Sequence, residues 1–96
     1  MSDGTPYWCY VLWSPVGDRF YIGVTDALQR RLRDHNTGVS RWTKRYAGTW
    51  ELAWQRQFAS LEEARTFENL LKRQKGGDGF FSLTDLRPTD FRSSGS

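Results

Sequence analysis

Glu68 is the titratable residue whose position in the sequence points most directly to chemistry. At about 100° per residue, its side chain falls between Leu61 and Ala64 on the apolar face of a predicted helix. A carboxylate that faces a core needs a cation, hydrogen-bond donors or a metal ion as its partner. Glu68 is therefore a candidate metal ligand. A glutamate at the edge of the core that reaches water or pairs with an arginine explains the pattern equally well.

Arg31 and His35 lie four residues apart on an earlier predicted helix and so share one face of it. Both flank an apolar stripe formed by Leu28 and Leu32. His35 is the only histidine in the chain. A lone histidine near a helix end is more often a cation that interacts with the helix C-terminus than a catalyst. Both residues thus have a structural interpretation beside the chemical one.

Two tyrosines and a glycine occupy the first two predicted strands. If Leu12 pairs with Arg19, Tyr10 lies opposite Tyr21 on one face of the hairpin. Such aromatic pairs are most often packing devices. Gly23 removes a side chain from the second strand, which often marks a close approach by backbone or ligand.

A basic segment runs from Arg30 to Arg45, with Asp34 as its one acid and Trp42 and Tyr46 interleaved. The basic residues are Arg30, Arg31, Arg33, Arg41, Lys44 and Arg45. A local basic stripe with aromatic residues can bind polyanions. A solvated surface explains the same charges equally well.

The composition favours one folded domain. The chain has 96 residues, a net charge of +3 and 16% aromatic residues, which is too aromatic for a disordered tail. The single cysteine, Cys9, excludes an internal disulfide framework and a zinc site built from cysteines. There is no apolar run of about 18 residues and no signal segment. We therefore expect a cytoplasmic protein with no membrane partner.

Aromatic and β-branched residues predict three strands, over residues 7–13, 20–25 and 51–58. The first two form a hairpin, in whose turn Gly17 is expected to supply a positive φ. In the third strand, Leu52, Trp54 and Phe58 are expected to share one face.

Two capping signals predict helices. Asp26 is expected to cap a helix over 27–35, and Ser60 begins a helix that runs to about residue 75. A short closing helix is expected over 80–86. The predicted fold is α+β, a three-stranded antiparallel sheet flanked by helices in the order β-β-α-β-α. One domain, residues 7–86, is expected between flexible ends, residues 1–6 and 87–96.

Taken together, these residues resemble the GIY-YIG nuclease family, in particular its small stand-alone bacterial members. Trp8-Cys9-Tyr10 keeps only the tyrosine of the first signature triplet, whereas Tyr21-Ile22-Gly23 matches the second in full. Arg31 and His35 follow at the family's spacing, and Glu68 lies in the helix that carries its metal-binding glutamate. The resemblance covers residues 7–75. The asparagine that many members carry after that helix is absent here.

The resemblance implies metal-dependent hydrolysis of a phosphodiester in nucleic acid, with DNA as the expected substrate. One Mg²⁺ or Mn²⁺ would bind Glu68, and Arg31 would contact the phosphate. Tyr10 would act as general base, with a pKa lowered by His35, Arg31 or the metal ion, and His35 would help to remove its proton. Tyr21 would orient the nucleophile or bind a phosphate oxygen.

Further substrate contacts are expected from the backbone at Gly23 and from the basic side chains Arg30, Arg33, Arg41, Lys44 and Arg45. No obligatory protein partner is implied. Two alternatives remain open. The chain could be a catalytically weak or inactive member that binds DNA or RNA, or an unrelated interaction domain whose aromatic residues are simply its core.

Overall fold

The computed structural model describes residues 6–40, 43–74 and 78–86. Within these ranges lie three strands, three α-helices and a 3₁₀ turn at Lys44–Tyr46. The strands are β1 (Tyr7–Ser14), β2 (Arg19–Thr25) and β3 (Glu51–Phe58), and the helices are α1 (Leu28–Thr37), α2 (Leu61–Arg73) and α3 (Asp78–Thr84). Arg41 and the two ends expected to be flexible, apart from Pro6, lie outside the described residues.

The sheet is antiparallel throughout and has the order β2-β1-β3. The predicted α+β fold and its element order are therefore confirmed. The central strand, β1, is buried on both faces. Cys9 and Val11 face one hydrophobic cluster, while Tyr10 and Leu12 face another.

Helices cover the two faces of the sheet. Leu71 of α2 and Phe80 of α3 are fully buried in the cluster that contains Cys9 and Val11. On the opposite face, Leu28 and Leu32 of α1 pack with the cluster of Tyr10, Leu12 and Trp50. None of the described helices is long and apolar enough to cross a membrane.

The predicted hairpin register was wrong by two residues. Arg19 pairs with Ser14 rather than with Leu12, and Tyr10 lies opposite Gly23 rather than Tyr21. Strand β1 is one residue longer than predicted and ends at Ser14. The Ser14 Oγ accepts the amide hydrogen of Gly17 at 3.0 Å. This bond closes a four-residue turn.

The conformational demands of this turn also differ from the prediction. Asp18, not Gly17, adopts the positive φ, at 55°. Gly17 is needed for another reason. A Cβ there would lie 2.7 Å from the ring of Tyr46, so a side chain would displace that ring.

A β-bulge breaks the alternation predicted for β3. Val11 pairs with Trp54 but the next residue, Leu12, pairs with Leu52, which leaves Ala53 as the extra residue. Leu52 consequently packs on the Tyr10 side, whereas Trp54 and Phe58 pack on the Cys9 side. The expectation that Leu52 shares their face was wrong.

Of the two predicted helix caps, one is confirmed and the other was wrong. Ser60 caps α2 as predicted, since its Oγ accepts the Glu63 amide hydrogen at 3.2 Å. Asp26 does not cap α1. The N-cap position is Ala27, whose amide donates to Thr25 Oγ1 at 3.0 Å. The C-terminal end of α1 is capped by Gly38 in the left-handed conformation, at φ 86°.

Candidate active site

A polar cleft of about 360 Å³ lies beside the edge strand β2. It gathers residues from β1, β2, α1 and α2, namely Tyr10, Tyr21, Gly23, Val24, Arg31, Arg65, Glu68, Asn69 and Lys72. Four of the five predicted catalytic residues therefore line one cleft, together with Gly23. The fifth, His35, does not line the cleft but contacts Tyr10, which does.

The absence of a side chain at Gly23 makes room for Tyr10. The two residues are directly opposite each other on β1 and β2. A Cβ at position 23 would lie 2.5 Å from the Tyr10 hydroxyl oxygen and 2.7 Å from Cζ. The close approach expected at this glycine is thus made by a protein side chain, and Gly23 fixes where the Tyr10 hydroxyl lies.

Tyr10 belongs to a buried chain of side-chain hydrogen bonds. Its hydroxyl lies 2.9 Å from Nε2 of His35, and Nδ1 of the same ring lies 2.6 Å from Oγ1 of Thr43. Tyr10 and Thr43 are each 1% exposed and His35 is fully buried. Trp50 donates from Nε1 to the Thr43 carbonyl at 3.0 Å. Both nitrogens of His35 are therefore bonded, and the ring has a fixed orientation.

Burial makes His35 neutral. Desolvation, assisted by the nearby Arg31 guanidinium, lowers the pKa of His35 from 6.5 to about 4, and Asp34 opposes this only in part. The interpretation of His35 as a cation at the end of α1 was therefore wrong. A neutral ring has one nitrogen free to accept a proton, which is what proton transfer from Tyr10 requires.

The Tyr10 hydroxyl has a raised pKa, contrary to the expectation that neighbouring cations lower it. Burial is the main cause, and the electrostatic effect of Tyr21 adds to it. Arg31 acts in the opposite direction but does not outweigh burial. His35 contributes no charge because it is neutral at ordinary pH. Tyr10 is consequently a protonated phenol in this structure.

Arg31 supplies positive charge to the cleft. Burial acts to lower its pKa, but the interaction with Tyr10 and the nearby Tyr21 and Asp34 raise the pKa overall. One guanidinium nitrogen lies 3.8 Å from the Asp34 carboxylate, and the side chain remains 33% exposed. Its guanidinium can therefore bind an anion that enters the cleft.

Glu68 is largely shielded from solvent and paired with a lysine. Its Oε2 lies 3.1 Å from Nζ of Lys72, and the two side chains are 16% and 52% exposed. This confirms that a carboxylate on the apolar arc of α2 has a cationic partner, here a lysine one turn later. The Lys72 side chain is accessible to solvent, so it can exchange Glu68 for water.

The cleft suits a hard divalent cation. Its potential ligands are oxygens: the Glu68 carboxylate, the amide of Asn69 and the two tyrosine hydroxyls. Among the described residues, no three His, Cys, Asp or Glu side chains lie close enough to hold a metal together. Mg²⁺ accepts a site with one carboxylate because it keeps several waters.

The predicted basic residues that the structure describes lie on two elements, α1 and the 3₁₀ turn. Arg30 and Arg33 are exposed and lie about 100° and 160° around α1 from Arg31, which lines the cleft. Lys44 is exposed on the 3₁₀ turn, and Arg45, beside it, lines a second cleft. Arg41 lies outside the described residues.

Several cleft residues were missed by the sequence analysis. Lys72 could have been found, since it lies four residues after Glu68 on the same helix. Thr43 could not, because it lies in a segment without periodicity whose contact with His35 depends on tertiary packing. Arg65 and Asn69 line the cleft beside Glu68 and carry no distinctive pattern in the sequence.

A tyrosine hairpin, an arginine on α1 and a glutamate on α2 around one cleft are the arrangement implied by the sequence resemblance. Comparison with protein families agrees, because the family model of the GIY-YIG catalytic domain matches residues 6–79. The chain therefore belongs to the GIY-YIG family.

Its relatives include two bacterial proteins named UPF0213 protein, from Streptococcus pneumoniae strains TIGR4 and R6. They are 42% and 41% identical over 66 residues. Each alignment covers 69% of this chain and 66% of the relative, so the chain spans just under two thirds of the relatives' length.

Proposed function

We propose that this protein is a metal-dependent endonuclease that hydrolyses phosphodiester bonds in nucleic acid, with DNA as its expected substrate and the cytoplasm as its expected location. One observation carries the proposal: Tyr10, Tyr21, Arg31 and Glu68 converge on one polar cleft. They combine a cation for the phosphate, a carboxylate for a metal ion and hydroxyls for the attacking water.

Arg31 and Tyr21 bind and orient the substrate in this proposal. The Arg31 guanidinium forms charge-assisted hydrogen bonds with the scissile phosphate and offsets the charge that develops in the transition state. Tyr21 packs against the His35 ring with centroids 4.7 Å apart, and its side chain lines the cleft. Its hydroxyl orients the attacking water or binds a phosphate oxygen.

The pKa values decide how a proton can leave Tyr10. A tyrosine ordinarily has a pKa of about 10, burial raises that of Tyr10, and the pKa of His35 is about 4. Transferring the proton in advance is therefore unfavourable, because it moves a proton from a group of raised pKa to one of lowered pKa.

A concerted relay needs no separate tyrosinate intermediate. The attacking water gives its proton to the Tyr10 oxygen as the Tyr10 proton passes to His35 Nε2, which lies 2.9 Å from that oxygen. Nδ1 of His35 keeps its own proton, which it donates to Thr43 Oγ1. Tyr10 is thus the general base only during the reaction.

Glu68 would hold the metal ion, with Asn69 beside it in the cleft. When bound, such a cation stabilises negative charge on a phosphate oxygen and lowers the pKa of a bound water. Lys72 competes with a cation for the Glu68 carboxylate, at 3.1 Å. Since Lys72 is half exposed, it can release Glu68 and turn toward the substrate.

A nucleic-acid-binding module with weak or absent catalysis is the second candidate. The Glu68–Lys72 ion pair favours it, because the pair already satisfies the only carboxylate among the residues of the cleft. The raised pKa of Tyr10 favours it too. The two candidates differ in whether bound DNA is cut.

A plasmid-nicking assay with Mg²⁺ or Mn²⁺ separates them. We expect the parent to nick supercoiled DNA, and EDTA to stop it. Glu68→Gln should lower the rate by orders of magnitude, whereas Glu62→Gln, an exposed position on the same helix, should not. Binding of DNA without cleavage by the parent would support the second candidate. Equal cleavage by Glu68→Gln and the parent would refute the metal assignment.

A further inference from the structure

A second cleft, of about 560 Å³, adjoins the candidate active site. It is lined by Arg19, Phe20, Tyr21, Arg45, Tyr46, Trp50 and Lys72. Tyr21 and Lys72 line both clefts, so the two are neighbours beside the edge strand β2. We call this region the Tyr46 cleft.

The residues that line the Tyr46 cleft make it electropositive. Arg19 and Arg45 are cations, Lys72 is a third whose charge is paired with Glu68, and none of the described lining residues is acidic. Arg19 and Arg45 are both exposed, so their guanidinium groups can meet a ligand from solvent. A concave surface lined by one sign of charge concentrates ions of the opposite sign.

Tyr46 holds the two arginines in place. The guanidinium carbons of Arg19 and Arg45 lie 5.9 and 5.6 Å from the centroid of its ring, within cation–π range. The ring itself packs edge-on against Trp50 at 6.3 Å and against the turn at Gly17, where a Cβ would lie 2.7 Å away. Both guanidinium groups therefore lie around one ring.

Phosphate is the ligand that this arrangement fits best. Guanidinium groups donate forked hydrogen bonds that match phosphate oxygens, and an ammonium group adds a point charge. Successive phosphates on one strand of a duplex advance by about 3.4 Å along its axis. A strand with its scissile phosphate at Arg31 and its backbone along the edge of β2 would pass Lys72 and the two arginines, because the two clefts are neighbours there.

We propose that the Tyr46 cleft is a second phosphate-binding subsite, which holds the backbone of the cleaved strand next to the scissile phosphate. The inference rests on the proposed function. It assigns a role to Arg19, which the basic segment did not include. It places the strand along the edge of β2 rather than across the outward side of α1.

The test compares two double variants that each lose two positive charges. Arg19→Gln/Arg45→Gln removes the guanidinium groups of the subsite. Arg56→Gln/Arg73→Gln is the matched control, since both are exposed and lie near Phe58 and Phe67, away from both clefts. Binding of labelled duplex DNA and of the same sequence as RNA is measured in EDTA over a range of salt concentrations.

We expect Arg19→Gln/Arg45→Gln to raise Kd about tenfold or more at low salt. It should reduce the slope of log K against log salt by about 1 to 2, because each phosphate contact contributes about 0.7 to 0.9. The control should change either quantity much less. In the cleavage assay, the subsite variant should raise KM more than it lowers kcat, since the subsite binds substrate and transition state alike.

The outcomes separate this inference from the proposed function. If the parent cuts DNA but the two double variants behave alike, the subsite is refuted and the nuclease stands. If the parent binds without cutting and only the Arg19/Arg45 variant loses slope, the subsite stands and the enzyme does not. Loss confined to the RNA probe would support the subsite and make RNA the substrate. Absence of binding by the parent to either probe would refute both proposals.

Discussion

Acid should destabilise this protein well above the pH at which its carboxylates are protonated, because His35 is buried and neutral. Its pKa is about 4 when folded and about 6.5 when unfolded, so the unfolded state binds the extra proton first. Stability is complete above pH 6.5 and is lost as pH falls toward 4. The linkage relation gives a loss of about 2 kcal/mol by pH 5 and about 3 kcal/mol by pH 4.

Urea unfolding followed by tryptophan fluorescence measures this loss between pH 8 and pH 5. Few other side chains titrate in this pH range, because His35 is the only histidine and ordinary Asp and Glu side chains titrate near 3.9 and 4.3. His35→Gln, which cannot titrate, should be less stable at pH 7 but should show little change down to pH 5. The His35 ring proton signals in the parent report the same titration directly by NMR.

Two results would overturn this reasoning. A free energy of unfolding that stays flat in the parent from pH 8 to pH 5 would mean that folding leaves the pKa of His35 unchanged. An NMR titration of the His35 ring near pH 6.5 would also mean that its pKa is unchanged by folding. The imidazole would then be protonated in weak acid and unable to accept the Tyr10 proton.

Other substitutions probe the same chain of contacts. Gly23→Ala should cost about 1 to 3 kcal/mol in urea unfolding and reduce cleavage at least tenfold, because its Cβ would displace the Tyr10 hydroxyl. Thr43→Val should cost about 1 to 3 kcal/mol, since it leaves a buried nitrogen of His35 unbonded. Tyr10→Phe should slow cleavage by about two to four powers of ten with little change in DNA affinity; if Tyr21→Phe alone is inactive, the tyrosine roles are reversed. Between pH 6 and pH 8 the parent's rate should show no rise caused by His35, because that ring is already neutral.

The sequence predicted the composition of the site better than its geometry. The resemblance to the GIY-YIG family, rather than periodicity alone, grouped Tyr21, Arg31 and Glu68, and the three side chains line one cleft. The hairpin register was predicted wrongly: Ser14 pairs with Arg19, across a turn in which the Gly17 amide donates to Ser14 Oγ. A strand pattern with period two cannot distinguish registers that differ by two residues.

Electrostatic properties were less predictable because burial decides them. The sequence places His35 near a helix end, where a charged ring would be favourable, and nothing local indicates that the ring is completely enclosed. The bulge at Ala53 is similarly invisible, since the pattern of β3 reads as regular alternation. Both features arise from packing between elements distant in the sequence.

The loop between α1 and β3 supports the site, although none of its described residues lines the polar cleft. Asn36 anchors its end, since Oδ1 accepts the Trp50 amide hydrogen at 2.8 Å and Nδ2 donates to the Trp50 carbonyl at 2.9 Å. Trp50 in turn donates to the Thr43 carbonyl, and Thr43 bonds the His35 ring that contacts Tyr10. A buried imidazole is costly to leave unpaired, so each link in this chain fixes the next. The position of the Tyr10 hydroxyl therefore depends on the folding of a loop for which the sequence predicted only substrate contacts or surface charge.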